Sequence, residues 1–297
     1  MFVSSSVELI DVCKKENISI WEYTIRTEME KSELSREEIV EKMRKNLHVM
    51  LSSSSYAQDK EVRSVSGLIG GDAYRLRKYA DNNNTLTGDF MVRAMARAIS
   101  SSEVNAAMGR IVASPTAGSC GILPAVVISA AERLNKSEED MINALFTASG
   151  VGIIIAKHAT LAGAEGGCQA ECGSAAAMGA AAVVEMMGGS PEQALDAAAM
   201  VLKNILGLIC DPVAGLVEVP CAKRNIAGAV SALTMADVAM AGVRSKIPFD
   251  EVVWAMNNVG KQLPPELRET AQGGIAITPT AQKLREEIFR EKTTLLK

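Results

Sequence analysis

Cys168 in GAEGGCQAE, Cys210 in LICDPVAG and Cys221 in VEVPCAKRN each sit in a stretch punctuated by Gly or Pro, where a helix would start or stop. Polar residues flank each one inside an otherwise Ala-rich, apolar region. Three thiolates gathered from such places have the donor chemistry to hold three irons of an iron–sulfur cube and to leave the fourth iron open to a substrate. Their separations, 42 residues and then 11, are not the tight spacings of ferredoxins or zinc ribbons, so the ligands would have to converge by folding. CDPVAGLVEVPC reads as an ordered connection between two helices. Cys221 then opens the second helix, where backbone N–H groups and the helix dipole favour a thiolate. On spacing alone, the plainer reading of buried small hydrophobes stands ahead.

A second constellation is Ser114-Pro115-Thr116-Ala117-Gly118-Ser119-Cys120-Gly121. Small hydroxyl residues, two glycines and a following helix make a nest for an anion such as a substrate carboxylate. The alternative is an ordinary capped turn. Charged residues stand beside the cysteines: Glu165, Glu171, Asp211, Lys223 and Arg224. Buried charges require partners, and pairing among themselves is the simpler account. Lys157 or Arg224 could instead take a substrate carboxylate, and Asn225 could hydrogen-bond cluster sulfur. Only two histidines exist, His48 in an N-terminal helical pattern and His158 just upstream of the Cys168 motif, where an imidazole could serve as a base.

The elements that must position these residues are helical. ISIWEYTIRTEMEKS reads as a first helix and SREEIVEKMRKNLHVMLSSSS as a second, with Ser35 as its N-cap. SGLIGGDAYRLRKYADNNN reads as a Gly-rich turn and a helix, and TGDFMVRAMARAISSSEVNAAMGRIVA as one or two more. Then come Ala-rich helices: PAVVISAAERLN, EDMINALFTASGVGIIIAKHA, CGSAAAMGAAAVVEMMGG and SPEQALDAAAMVLKNILG, the last opened by Ser190 and Pro191. AKRNIAGAVSALTMADVAMAG and PFDEVVWAMNNVGKQL follow, and PTAQKLREEIFREKTTLLK is a charged amphipathic end. β-Branched residues rarely alternate with polar ones, so few or no strands are expected. The expected fold is all-α, a compact multi-helix bundle whose small residues let backbones approach closely.

The 297 residues suffice for a substantial core. A net charge of −4 without a basic block, and 4% aromatic residues, give nucleic acid or an anionic membrane nothing to bind. MFVSSSVELIDVCKKEN lacks a basic start and apolar run, so no secretory leader is expected. The uncharged stretch between Arg110 and Glu132 is broken by Pro115, Pro124 and SPTAGS, which argues against a span. A cytoplasmic setting follows, where six cysteines are ligands, catalytic thiols or core residues rather than disulfides.

SGLIGGDA, SSEVNAAMGRIVASPTAGSCGILPAVV, AEGGCQAECGSA, CDPVAGLVEVPCAKRN and ETAQGGIAI together closely resemble the catalytic α subunit of iron–sulfur-dependent L-serine dehydratase, over roughly 200 residues. The resemblance implies a 4Fe–4S cluster held by Cys168, Cys210 and Cys221, with one open iron, in an all-helical domain. It implies an L-serine ammonia-lyase of amino-acid degradation and gluconeogenesis that forms pyruvate and ammonia without pyridoxal phosphate. The open iron would act as a Lewis acid on the substrate carboxylate and β-hydroxyl. It places Ser114, Thr116, Gly118 and Ser119 at the substrate anion, and Cys120, Cys172 and Asn225 around the cluster. Cys172 departs from the aliphatic residue usual in the family, so it either caps the fourth iron or, as we prefer, packs beside the site. His158 stands where Asn is usual, which leaves Lys157 and His158 as weak candidates for catalysis. The family's Gly-Pro-Ser-Ser-Ser-His-Thr type motif, with the usual candidate base, is missing from this sequence and belongs to the β region. The chain is therefore expected to be the α subunit of an oligomer with a separate β subunit.

Three parts are expected: an N-terminal helical segment over 1–60, an all-helical catalytic iron–sulfur domain over 61–280, and a charged C-terminal helix or tail over 281–297. The cluster is expected to be lost in air. Two rivals stand. A pyridoxal-phosphate deaminase would need an α/β fold, whose strand signals are missing. A non-catalytic metal-binding subunit or scaffold would use the same cysteines.

Overall fold

The structure, a computed structural model, describes residues 2–82 and 84–295. Residue 1 of the expected N-terminal segment, residue 83, and residues 296 and 297 of the expected C-terminal tail lie outside the described residues. Thirteen α-helices run in succession through it: α1 (Ser6–Glu16), α2 (Ile20–Ser32), α3 (Arg36–Asp59), α4 (Asp72–Asn82), α5 (Gly88–Ala106), α6 (Ile122–Leu134), α7 (Glu138–His158), the single turn α8 (Gly163–Gly166), α9 (Ser174–Met186), α10 (Pro191–Ile205), α11 (Cys221–Met240), α12 (Phe249–Gln262) and α13 (Pro279–Leu295). Extended pairing among the described residues is confined to two isolated bridges, Arg63 with Gly70 and Cys210 with Arg268. The all-α expectation holds.

Local chemistry explains most boundaries. Ser35 caps α3 in a reciprocal box with Glu38, and Ser190 does the same for α10 with Gln193, Pro191 taking the first helical position. The expected first helix is in fact the second. Before it, Ser5 caps α1 by accepting from the Glu8 N–H at 3.2 Å, and Asn17 ends that helix in a left-handed conformation.

The core forms around α9. Ala175, Ala176, Ala177, Ala180, Ala181 and Ala182 are fully buried there, and α6, α7, α10 and α11 pack around this helix. Small side chains set the spacing. A Cβ on Gly179 would stand 3.2 Å from Val126, and one on Gly152 of α7 would stand 3.0 Å from Met178. Interiors packed this densely transmit any added methyl directly into the neighbouring helix. Ala117–Leu134 and Glu138–His158 are long and apolar enough to cross a membrane by length and composition, yet most of each is buried against the other helices.

Two carboxyls from distant elements, Glu103 buried and Glu185 half-buried, cap helix starts. Glu185 of α9 accepts from the Ile20 N–H at 2.5 Å at the start of α2, where Ser19 makes no side-chain cap bond. Glu103 of α5 accepts from the Asp72 N–H at 2.6 Å at the start of α4. Burial raises the Glu103 carboxyl to about 7, and its Oε2 has no hydrogen-bond partner. Its folded value lies above the ordinary 4.5. The folded state therefore holds the proton more tightly than the unfolded chain. The stabilisation is complete below the ordinary carboxylate range and is lost as pH rises through about 7. The stability difference between wild type and Glu103→Gln should shift against wild type by on the order of 2 kcal/mol between pH 5 and pH 8 in urea titrations. A flat difference would refute this account.

Candidate metal centre

The segment between α7 and α9 folds tightly around glycine. Gly167 has φ +76°, a conformation costly for other residues, and a Cβ there would lie 2.7 Å from the Leu208 carbonyl oxygen. Cys168 follows at once. Residues Gln169–Gly173 then form a π-helical turn, a geometry that recurs at functional sites, before α9 begins. The buried Gln169 amide holds this turn to its surroundings. It donates to the Gly166 carbonyl at 2.9 Å and the Met256 carbonyl at 3.1 Å, and accepts from the Gly207 N–H at 3.0 Å. Cys210 is placed by main-chain pairing instead: its N–H donates to the Leu267 carbonyl at 2.9 Å, and its carbonyl accepts from Glu269 at 2.7 Å. Cys221 is the first residue of α11, as expected.

All three cysteines are buried as free thiols. The Sγ atoms of Cys168 and Cys210 and a carboxylate oxygen of Glu171 lie within 4.8 Å of one another. Cys221 stands outside this trio but near enough for the charge on Cys168 to act on it. Cys172, four residues on in the same turn, stands near enough to Cys168 for the two thiols to shift each other's proton affinity.

One negative charge is shared here. The Cys168 thiol is pulled down to about 3, first by hydrogen bonds with Cys172 and Cys210 and further by Arg224, against the effect of burial. Arg224 Nη1 donates to Cys168 Sγ at 3.3 Å and to the Ile209 carbonyl at 2.9 Å, while Nη2 donates to Asp211 Oδ1 at 2.8 Å. The partner thiols move the other way, Cys210 raised first by its hydrogen bond with Cys168. The expected preference for a thiolate at Cys221 is overturned. Burial pushes that thiol up to about 12, because loss of water outweighs the first turn of a helix. Burial and the Cys168 charge together push Glu171 up to about 7.

The Ser114–Ser119 turn lies against the centre. Thr116 and Ser119 cap a single 3₁₀ turn, Ala117–Ser119, and Thr116 stands near enough to Glu171 to favour its ionised form. A Cβ on Gly118 would lie 3.4 Å from Glu171 Oε2. The buried Ser114 Oγ has no hydrogen-bond partner. Asn225 ties this turn to α11: it donates to the Gly118 carbonyl at 2.8 Å and the Cys221 carbonyl at 3.0 Å, and accepts from the Gly121 N–H at 2.9 Å. Its amide is thus engaged by backbone rather than by sulfur. Cys120 points its thiol at the Ser101 carbonyl of α5, 3.7 Å away.

Lys157 and His158 serve another place. Lys157 Nζ donates to the Val3 carbonyl at 2.5 Å, and His158 Nε2 lies 2.5 Å from the Ser4 carbonyl oxygen. Lys157 also lines a cleft of about 380 Å³ with Phe2, Tyr23 and Ile154, residues of the N-terminal strap, α2 and α7. Both side chains strap the N-terminal segment down. The other residues beside the cysteines divide as follows: Lys223 pairs with Asp72, and Asp211 joins Arg224 to the Ile275 N–H at 2.7 Å.

Soft thiols from separate elements, a cation against the sulfur and an apolar surround fit an iron–sulfur group by donor chemistry. Replacing Arg224 by Met should raise the pH midpoint of the first thiolate, followed by ultraviolet absorbance on the metal-free chain. An unmoved midpoint would show that the guanidinium does not stabilise Cys168.

Comparison with known proteins places the chain among relatives. The family described as serine dehydratase alpha chain matches residues 15–276. The probable L-serine dehydratase alpha chain of Bacillus subtilis is 49% identical over 282 residues, covering 95% of this chain and 94% of that one. The L-serine dehydratase alpha chain of Peptoniphilus asaccharolyticus is 47% identical over 97% of this chain and 99% of its own. The L-serine dehydratase of Helicobacter pylori strain 26695 is 33% identical, and the match covers 93% of this chain but 61% of that protein.

Proposed function

Because the chain belongs to the serine dehydratase alpha chain family, we propose that it is the cluster-bearing subunit of an L-serine ammonia-lyase. It converts L-serine to pyruvate and ammonia together with a separate β subunit. The observation that carries this reading is the convergence of Cys168, Cys210 and Glu171 beside the Ser114–Ser119 turn. Cys168, Cys210 and Cys221 would hold a 4Fe–4S cluster, with Cys172 packed beside it. When bound, the group supplies a Lewis-acidic iron that polarises the hydroxyl leaving group.

The chain's own residues do the rest of the positioning. The turn receives the substrate carboxylate, and the unpartnered Ser114 hydroxyl is a donor ready for it. Asn225 keeps the turn at a fixed height above Cys221. Arg224 is engaged by sulfur and by Asp211, so its task is to hold the thiolate rather than the substrate. With Lys157 and His158 bound to the N-terminal segment, the base that removes the α-proton comes from the partner. Relative lengths support that division. The alpha chains of two relatives match almost end to end, whereas about two-fifths of the Helicobacter L-serine dehydratase lies outside the match.

The test is anaerobic reconstitution with iron and sulfide, with the β subunit present. Cys168→Ala and Cys210→Ala should keep their helical circular dichroism, lose most bound iron and form pyruvate roughly a hundredfold more slowly. Cys13→Ala should match wild type. Normal pyruvate formation by an iron-free Cys168→Ala chain would establish the scaffold reading in place of this one.

A further inference from the structure

Glu171 is placed as a ligand would be, although no cysteine pattern points to it. A carboxylate oxygen lies within 4.8 Å of both Cys168 Sγ and Cys210 Sγ. The opposite side of the carboxylate rests on the substrate turn, through the Thr116 hydroxyl and the bare face of Gly118. Gly163 closes a third side, and a Cβ there would fall 2.6 Å from Glu171 Oε2 and 3.2 Å from Cys210 Sγ. Two glycines therefore make the slot that this carboxylate fills.

No lysine, arginine or histidine forms an ion pair with Glu171 among the described residues. The Arg224 guanidinium of this centre is engaged by Cys168 and Asp211. A carboxylate wedged among thiols without a cation is costly unless a positive centre belongs there. Carboxylate oxygen is also a harder donor than thiolate, so it would be the most readily exchanged member of such a ligand set.

We propose that Glu171 is the internal ligand of the open position: it occupies the place of the substrate carboxylate at rest and yields to it when L-serine binds. The inference rests on the iron–sulfur reading above. The exchange is one carboxylate for another, with no change of oxidation state. Thr116 and Gly163 remain to hold the displaced side chain.

Wild type, Glu171→Gln and Glu171→Ala would be reconstituted without air and assayed for iron per chain. L-Serine would then be titrated without the β subunit, followed by the visible and paramagnetic resonance spectra. All three chains should load the same iron. The variants should bind serine more tightly, because nothing competes for the position; the gain is about tenfold if nine chains in ten rest closed. Mild oxidation should also strip the fourth iron faster from the variants. Equal iron with unchanged or weaker serine binding would overturn the proposal. So would variants that lose iron and serine affinity together, the mark of a structural role. Failure of wild type itself to take up iron would instead strike the underlying cluster reading.

Discussion

The guanidinium of Arg224 is the contact on which the rest of the centre depends. It reaches Cys168 sulfur, the Ile209 carbonyl and Asp211, so one side chain joins the π-turn, the Cys210 connection and α11. Asp211 extends the link to Ile275 in the late Gly-rich turn. A thiolate buried this deeply is stable only if its charge is answered nearby. With Arg224 beside it, the Cys168 thiol is drawn well below its ordinary value while Cys172 and Cys210 are pushed up. The bonds made by Arg224 and Asp211 form a small network enclosed by apolar helices, the setting in which such networks help specify one arrangement.

That arrangement requires helices that come close. An alanine-faced α9 lets α6, α7, α10 and α11 approach, and it follows directly from the π-turn bearing Cys168 and Cys172. The glycines around the turn act at shorter range. Gly163 and Gly167 meet Glu171, Cys210 and Leu208 where no side chain fits. Close packing thus serves the chemistry as well as the core, since any widening of the helix spacing would draw the thiols apart.

Much of this was legible in the residues. Ser35 and Ser190 announced their helices because capping is a local interaction between residues three apart. The all-helical fold was legible because apolar spacing carries it. What could not be read is long-range. Glu185 caps a helix that lies far earlier in the chain, and Glu103 caps another, so neither leaves a local signature. The π-turn has no composition of its own. Nothing in the Cys168 motif singles out Gln169, yet its amide organises three backbone segments. Glu171 was visible as a charge beside a cysteine, but its approach to Cys210 depends on a connection 39 residues away. Cys221 shows a competition that pattern alone cannot weigh. The helix start favours a thiolate and burial opposes it, and burial prevails.

The same weighing explains why histidine is no guide in this chain. His48 faces Glu138 on the surface, and His158 and Lys157 fix the N-terminal strap across α7. The turn that would receive substrate is built from hydroxyls, backbone and glycine, which bind an anion but do not remove a weakly acidic α-proton at neutral pH. The acid that stands at the centre is Glu171, and burial and the Cys168 charge raise it to about 7. The match to the Helicobacter relative leaves about two-fifths of that protein uncovered, so the fold described here accounts for only part of its length.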